Sequence, residues 1–62
     1  MTLEDVISQV ERETGKTANA ETQIKDVVAD SLEFLDLMMA LAIPDEKVAG
    51  IETVQDLYLA VQ

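Results

Sequence analysis

Ser31 carries a hydroxyl that could act as a nucleophile, and it lies between an acid, Asp30, and an apolar residue, Leu32, at the predicted start of a helix. The chain has no His and no Cys, so it lacks the usual general base, a thiol nucleophile and the imidazole and thiolate metal ligands. Both glycines are isolated, which excludes a Gly-rich phosphate loop. No catalytic set is recognisable. On the local sequence alone, Ser31 is an ordinary first-turn residue of a helix.

The acids around Ser31 are the other candidates for chemistry. Asp30, Glu33 and Asp36 suggest an acid pair or a calcium site. Their spacing does not match the alternating ligand positions and central Gly of an EF-hand. We therefore expect a solvated acidic helix face and no metal site.

The charge, length and composition of the chain exclude several classes of protein. The 62 residues carry 13 Asp and Glu against 4 Lys and Arg, a net charge of −9, which repels nucleic acid and anionic membranes. No apolar run approaches the ~20 residues of a membrane span, and no basic start with an apolar stretch marks a signal peptide. The 48% hydrophobic content is too high for simple disorder. We expect one cytoplasmic domain over residues 1–62.

The first helix is predicted over residues 2–14. Four apolar residues with helical spacing fall within about 100° of arc, which is one buried stripe. They are Leu3, Val6, Ile7 and Val10. Thr2 is the predicted N-cap, with Asp5 at the acidic position of a capping box, and Gly15 suits the left-handed end. Residues 16–29 then form a long loop held by Ile24, Val27 and Val28, and a loop of this length in a small domain is often functional.

The second helix is predicted over residues 30–42, with Asp30 as N-cap and Glu33 at N3. Its apolar residues span about 220°, twice what a helix needs to face a core. One group is Phe34, Leu37, Met38 and Leu41, and the other is Leu32, Leu35 and Met39. Either this helix is buried on two sides, or part of its apolar surface meets something outside the chain.

Two shorter helices complete the predicted fold. Pro44 limits the second helix, residues 44–49 allow one short turn before Gly50, and Thr53 with Asp56 begins a last helix. The apolar stripe of this last helix consists of Val54, Leu57, Tyr58 and Val61. The fold class is therefore all-α, a small helical bundle of three main helices plus one short helix.

The Asp30-Ser31-Leu32 segment resembles the acyl carrier protein family, whose prosthetic-group serine lies in an Asp-Ser-Leu motif at the start of its second helix. The Leu37-Met38-Met39-Ala40-Leu41, Ile43-Pro44-Asp45-Glu46 and Ile51-Glu52-Thr53-Val54-Gln55-Asp56 segments are similar to later parts of the family. Nearly the whole chain is covered, most specifically residues 26–58.

The chain departs from the family at three points. Ala42 leads directly into Ile43-Pro44, where the family usually has an acidic, aromatic-containing stretch. Val28 stands where a Gly is usual, and the first loop is shorter. These differences concern loop geometry and the size of the acyl pocket more than the assignment of Ser31.

The resemblance implies a carrier that is not itself an enzyme. Ser31, with Asp30 and Leu32 around it, would receive 4′-phosphopantetheine from coenzyme A on a separate phosphopantetheinyl transferase. The arm would hold acyl groups as thioesters for fatty-acid or polyketide synthesis, with a D-alanyl carrier as another possibility. The acyl group and the pathway are left open. The absence of His and Cys fits, because the arm brings its own thiol.

The resemblance also divides the second helix into two faces. Leu32, Leu35 and Met39 would lie at the surface beside Glu33 and Asp36 and bind partners. Leu37, Met38 and Leu41 would face the core and line an acyl pocket. The alternative places all six apolar residues in the core. Because residues 26–46 contain six acids and no base, we expect partners that are acyl-processing enzymes with basic patches. The protein itself is expected to be a monomer.

A second class of function stays open at this point. An unmodified helical adaptor would use the same apolar and acidic second helix to bind a partner protein.

Overall fold

The structure, a computed structural model, describes residues 1–62 and contains only helices and connecting segments. The four α-helices are α1 (Leu3–Thr14), α2 (Ser31–Ala40), α3 (Asp45–Val48) and α4 (Val54–Ala60), with a 3₁₀ turn at Ile24–Asp26. α1 packs against both α2 and α4. The predicted bundle of three main helices and one short helix is confirmed.

The core is made of ten buried residues, all of them apolar. They come from the three main helices and from the loops on either side of α2. These residues are Val6, Val10, Ile24, Val27, Leu37, Met38, Leu41, Ile43, Val54 and Leu57. No polar or charged side chain is buried, so the groups available for chemistry all lie at or near the surface.

Reciprocal capping boxes begin the first and last helices, as the sequence predicts. The Thr2 hydroxyl accepts the Asp5 N–H at 3.1 Å, and the Asp5 carboxylate accepts the Thr2 N–H at 3.0 Å. Thr53 and Asp56 repeat this arrangement at 3.2 and 3.0 Å. α1 ends at Gly15 in the left-handed conformation, with φ of 72°. Each bond satisfies an amide that has no partner within its helix.

α2 ends at Ala40. The predicted end at Ala42, two residues later, is wrong. Ala42 adopts a left-handed conformation with φ of 55°. Its N–H donates to the carbonyl oxygen of Met39 at 3.1 Å, and the Ile43 N–H donates to that of Met38 at 3.0 Å. This is a Schellman ending with alanine in the place usually taken by glycine. Burial of Ile43 and Met38 in the core holds the turn closed.

The loop between α1 and α2 is pinned largely as predicted. Ile24 and Val27 are buried, and Val28 is half-buried. The sequence did not predict the 3₁₀ turn at Ile24–Asp26, in which the Val27 N–H donates to the Ile24 carbonyl oxygen at 3.0 Å. The loop therefore enters α2 from a fixed turn.

The same loop is joined to the start of α4 by backbone hydrogen bonds. The Val54 N–H donates to the Thr22 carbonyl oxygen, and the Gln55 N–H donates to that of Ala20, both at 3.0 Å. These bonds satisfy amides of the first turn of α4 that lack a partner within the helix. The long loop is thus part of the folded framework.

The short helix α3 follows Pro44 and confirms the predicted turn. Pro44 precedes the first helical residue with an extended backbone, as expected for a residue with no N–H to donate. The Lys47 ammonium donates to the carbonyl oxygen of Ala60 at 3.4 Å. This contact ties α3 to the end of α4, where a positive charge is favourable.

Candidate functional site

Ser31 is the first residue of α2, and its side chain is exposed. The N-cap before it is Asp30, whose carboxylate accepts the Glu33 N–H at 3.0 Å. The Ser31 hydroxyl makes none of the side-chain hydrogen bonds in the structure. Because Asp30 performs the capping, the Ser31 hydroxyl is exposed and has no hydrogen-bond partner in the protein.

The electrostatic setting of Ser31 has two opposing parts. The amides at the start of α2 point outward and place partial positive charge beside the hydroxyl. The exposed carboxylates of Asp30 and Glu33 place negative charge there. A negatively charged group on Ser31 would therefore gain from the helix terminus and be opposed by both acids.

An open groove of about 640 Å³ begins at Ser31. Its floor is apolar and its rim is polar. The lining residues are Gln23, Ile24, Lys25, Val28, Ala29, Asp30, Ser31, Phe34, Ile51 and Glu52. The groove thus runs between the loop that precedes α2 and the segment that precedes α4, with Ser31 at its edge.

The two walls of the groove are tied together through the backbone. The Ile24 N–H donates to the carbonyl oxygen of Glu52 at 2.8 Å, and Gln23 pairs with Thr53 in an isolated antiparallel bridge. Since Ile24 is only 1% exposed, this junction is anchored in the core. The groove is therefore a fixed feature of the fold.

The residues predicted to line an acyl pocket are core residues and do not border the groove beside Ser31. Leu37, Met38 and Leu41 are buried in the core, as expected, but none of them lines the groove beside Ser31. Phe34, one helical turn after Ser31, is half-buried and lines the groove. The spacing of three between Ser31 and Phe34 was the available signal, because residues three apart share a helix face.

Ile51 and Glu52 are two of the groove residues that the sequence did not connect with Ser31. They lie about twenty positions later in the chain, and no local pattern relates them to α2. Their place depends on the Ile24–Glu52 hydrogen bond, a long-range contact.

The outer face of α2 exposes three large apolar side chains. Leu32 is 70%, Leu35 50% and Met39 77% exposed, and Glu33 and Asp36 lie exposed among them. The interpretation that places all six apolar residues in the core is wrong, because this half of the 220° arc faces outward. We call the five residues the outer face of α2.

The acids of the chain form no recognisable metal site. No group of three or more carboxylates is arranged to hold a metal ion. None of the helices has the length and hydrophobicity that a membrane span requires.

Comparisons with protein-family models, with curated proteins and with solved structures give no match.

Proposed function

We propose that this protein is an acyl carrier whose Ser31 bears a 4′-phosphopantetheine arm. The observation that carries the proposal is the exposed hydroxyl of Ser31, which has no hydrogen-bond partner because Asp30 caps the helix. The resemblance of the Asp30-Ser31-Leu32 segment to the acyl carrier protein family supplies the identity of the group.

In the attachment step, this chain contributes the serine oxygen and the transferase contributes the base. The Ser31 oxygen attacks the phosphorus that bears the pantetheine portion of coenzyme A. A new oxygen–phosphorus bond forms, the bond to adenosine 3′,5′-bisphosphate breaks, and the hydroxyl proton passes to a base on the transferase. The residues fit such a group, since Ser31 is accessible and the helix terminus favours negative charge. When bound, the arm supplies the thiol that holds acyl groups as thioesters.

The groove beside Ser31 is the place we propose for the arm and the group it carries. Its apolar floor of Ile24, Val28, Phe34 and Ile51 suits a hydrocarbon chain. This proposal replaces Leu37, Met38 and Leu41 as the direct lining, although those residues support the floor from the core.

Partner enzymes with basic patches are proposed to dock on the outer face of α2. The carboxylates of Glu33 and Asp36 would steer the encounter, and Leu32, Leu35 and Met39 would fix the register. No catalytic role is proposed for this chain, and a monomer in the cytoplasm is the expected form.

The same outer face also favours an unmodified adaptor, which would bind its partner without any change in mass. Incubation with a phosphopantetheinyl transferase and coenzyme A distinguishes the two functions by intact mass. A carrier gains one prosthetic group, Ser31→Ala gains none, and Ser8→Ala, which removes the other serine, loads like the natural chain. An adaptor stays at its polypeptide mass in all three.

A further inference from the structure

Lys25 is the basic residue among those that line the groove beside Ser31. It lies in the 3₁₀ turn Ile24–Asp26, directly after the buried Ile24. In a 3₁₀ helix, consecutive side chains are about 120° apart, so burial of Ile24 turns Lys25 outward to the rim. The side chain of Lys25 is accordingly exposed on the wall of the groove that ends at Ser31.

The Lys25 ammonium has no hydrogen-bond partner within the protein. Among the lysines, only Lys47 donates a side-chain hydrogen bond, to Ala60. The charged neighbours of Lys25 along the groove are two acids, Asp30 and Glu52. The Asp30 carboxylate is already engaged by the Glu33 amide. A cation without a hydrogen-bond partner therefore lies on the rim of the groove, where the other charged residues, Asp30 and Glu52, are acids.

A phosphodiester on Ser31 needs such a cation. It would carry negative charge beside the carboxylates of Asp30 and Glu33, and the partial charge of the α2 terminus opposes these only in part. Because Asp30 and Glu33 oppose this charge, the sequence alone suggests that partner cations or a metal offset it during modification, and residues 26–46 contain no base. Lys25 lies one position outside that range, and the fold brings it to the same groove as Ser31.

We propose that Lys25 binds the phosphodiester formed on Ser31 and so holds the first part of the arm over the groove. The inference rests on the proposed function, and it makes Lys25 a positioning residue. Lys25, Val28 and Phe34 line the same groove, so an arm held by the ammonium would lie beside the apolar floor. The outer face of α2 then stays free for partners.

The same ammonium suits a second anion, a carboxylate at the free end of a carried acyl group. Both ligands present anionic oxygens, so the test must separate them. The phosphodiester is present whenever the arm is attached, whereas the carboxylate depends on the acyl group.

Lysine side-chain NMR of the whole protein before and after loading provides the test. The chain has three lysines, Lys16, Lys25 and Lys47, and Lys25→Gln identifies the signal of interest. With loading verified by mass, we expect the Lys25 Cε signal to move when the bare thiol arm is attached, while those of Lys16 and Lys47 stay in place. The displacement shrinks at ~1 M salt, where the Debye length falls to about 3 Å.

The phosphorus NMR signal of the loaded arm tests the same contact from the side of the phosphodiester. Lys25→Gln should shift and sharpen this signal, because the phosphodiester gains mobility, whereas Lys25→Arg and the matched control Lys16→Gln leave it near that of the natural chain. These measurements do not depend on any activity of the carrier.

Three outcomes overturn the inference in distinguishable ways. An arm on Ser31 with an unmoved Lys25 signal and an unchanged phosphorus signal in Lys25→Gln removes the role of Lys25 and leaves the carrier function standing. Movement only with a carboxylate-ended acyl group removes the phosphodiester assignment. No gain in mass with the transferase removes the carrier function and this inference together.

Discussion

The carboxylate of Asp30 accepts the backbone N–H of Glu33 at 3.0 Å. Because this bond caps α2, Ser31 has no capping role at the start of the helix. Serine is itself a common N-cap residue. Here the two tasks are divided between neighbours, because Asp30 stabilises the helix and Ser31 presents a free hydroxyl. Stability and modification should therefore respond to different substitutions.

Ser31→Ala should leave the free energy of unfolding within about 0.5 kcal/mol of the natural value. Asp30→Ala should lower it by about 1 kcal/mol, because the Glu33 amide loses its partner. In a domain of this size, that loss corresponds to roughly 4–8 °C in melting temperature. Thermal melts followed by circular dichroism measure both. Asp30→Ser is the control, since serine can restore the cap, and a larger loss for Ser31→Ala than for Asp30→Ala would contradict the division of tasks.

Ala42→Gly should stabilise the protein by roughly 0.5–1 kcal/mol. Ala42 is held at φ of 55°, a conformation that costs an L-residue about 1–2 kcal/mol and glycine little. Ala40→Gly is the matched control, because Ala40 is exposed in the last turn of α2 and glycine there should destabilise by roughly 0.5–1 kcal/mol. Urea unfolding should move the two midpoints in opposite directions, and movement in one direction would refute the assigned end of α2.

The two capping boxes should make stability fall in acid. The hydrogen bond from the Thr2 N–H, followed by that from the Thr2 hydroxyl, lowers the pKa of Asp5. The N–H groups of Thr53 and Glu52 lower the pKa of Asp56 in the same way. A lowered folded-state pKa adds stability that is complete above the ordinary Asp pKa of about 3.9 and is lost as the pH falls through the lower value.

The double variant Asp5→Asn/Asp56→Asn should therefore show a flatter fall of melting temperature below about pH 4. Glu4→Gln/Glu52→Gln is the matched control, because each Glu is the exposed neighbour of a capping box and accepts no side-chain hydrogen bond. An equally steep fall in the Asn variant would show that the boxes do not contribute to the acid transition.

Charge on the outer face of α2 should control how fast the transferase loads the protein. Glu33→Lys/Asp36→Lys should slow loading at low salt, and the defect should shrink at high salt as screening shortens the range of the field. Glu13→Lys/Glu21→Lys changes the net charge equally at exposed positions off this face. Equal loading rates for the two charge-reversed proteins would show that the net charge, and not the acids of the outer face, determines the rate.

The apolar residues of the same face should act through contact. Leu35→Ala and Met39→Ala should weaken the complex with the transferase in a way that salt does not rescue, since their contribution comes from area removed from water. Leu59→Ala provides the control, because Leu59 is similarly exposed at 57% but lies on α4. Binding measured by calorimetry should separate the residues of the outer face from this control.

The parts of the fold that the sequence predicts are the local ones. The boxes at Thr2 and Thr53 need only a partner three residues away, and the left-handed end of α1 needs only Gly15. The apolar arc of α2 is too wide for one core, which left exposure or burial on a second side open, and the family resemblance favoured exposure of Leu32, Leu35 and Met39. Each of these features depends on spacing along a single helix.

The parts that escaped prediction depend on contacts between distant segments. The groove exists because Ile24 bonds to Glu52, which brings Ile51 beside Phe34, and no periodic pattern reports such a pairing. The end of α2 escaped for a different reason, because alanine is a good helix former and gives no signal for a left-handed residue. Burial of Ile43, three residues after Ala40, overrides that preference.

Fragment mass spectrometry of the protein taken from the cells that make it tests the central claim most directly. The account predicts a peptide containing residues 30–32 whose mass exceeds that of the bare chain by one phosphopantetheine, with the group located on Ser31. A peptide at its bare polypeptide mass throughout the population, or an arm located on Thr22, Thr53 or any other hydroxyl, would contradict the account.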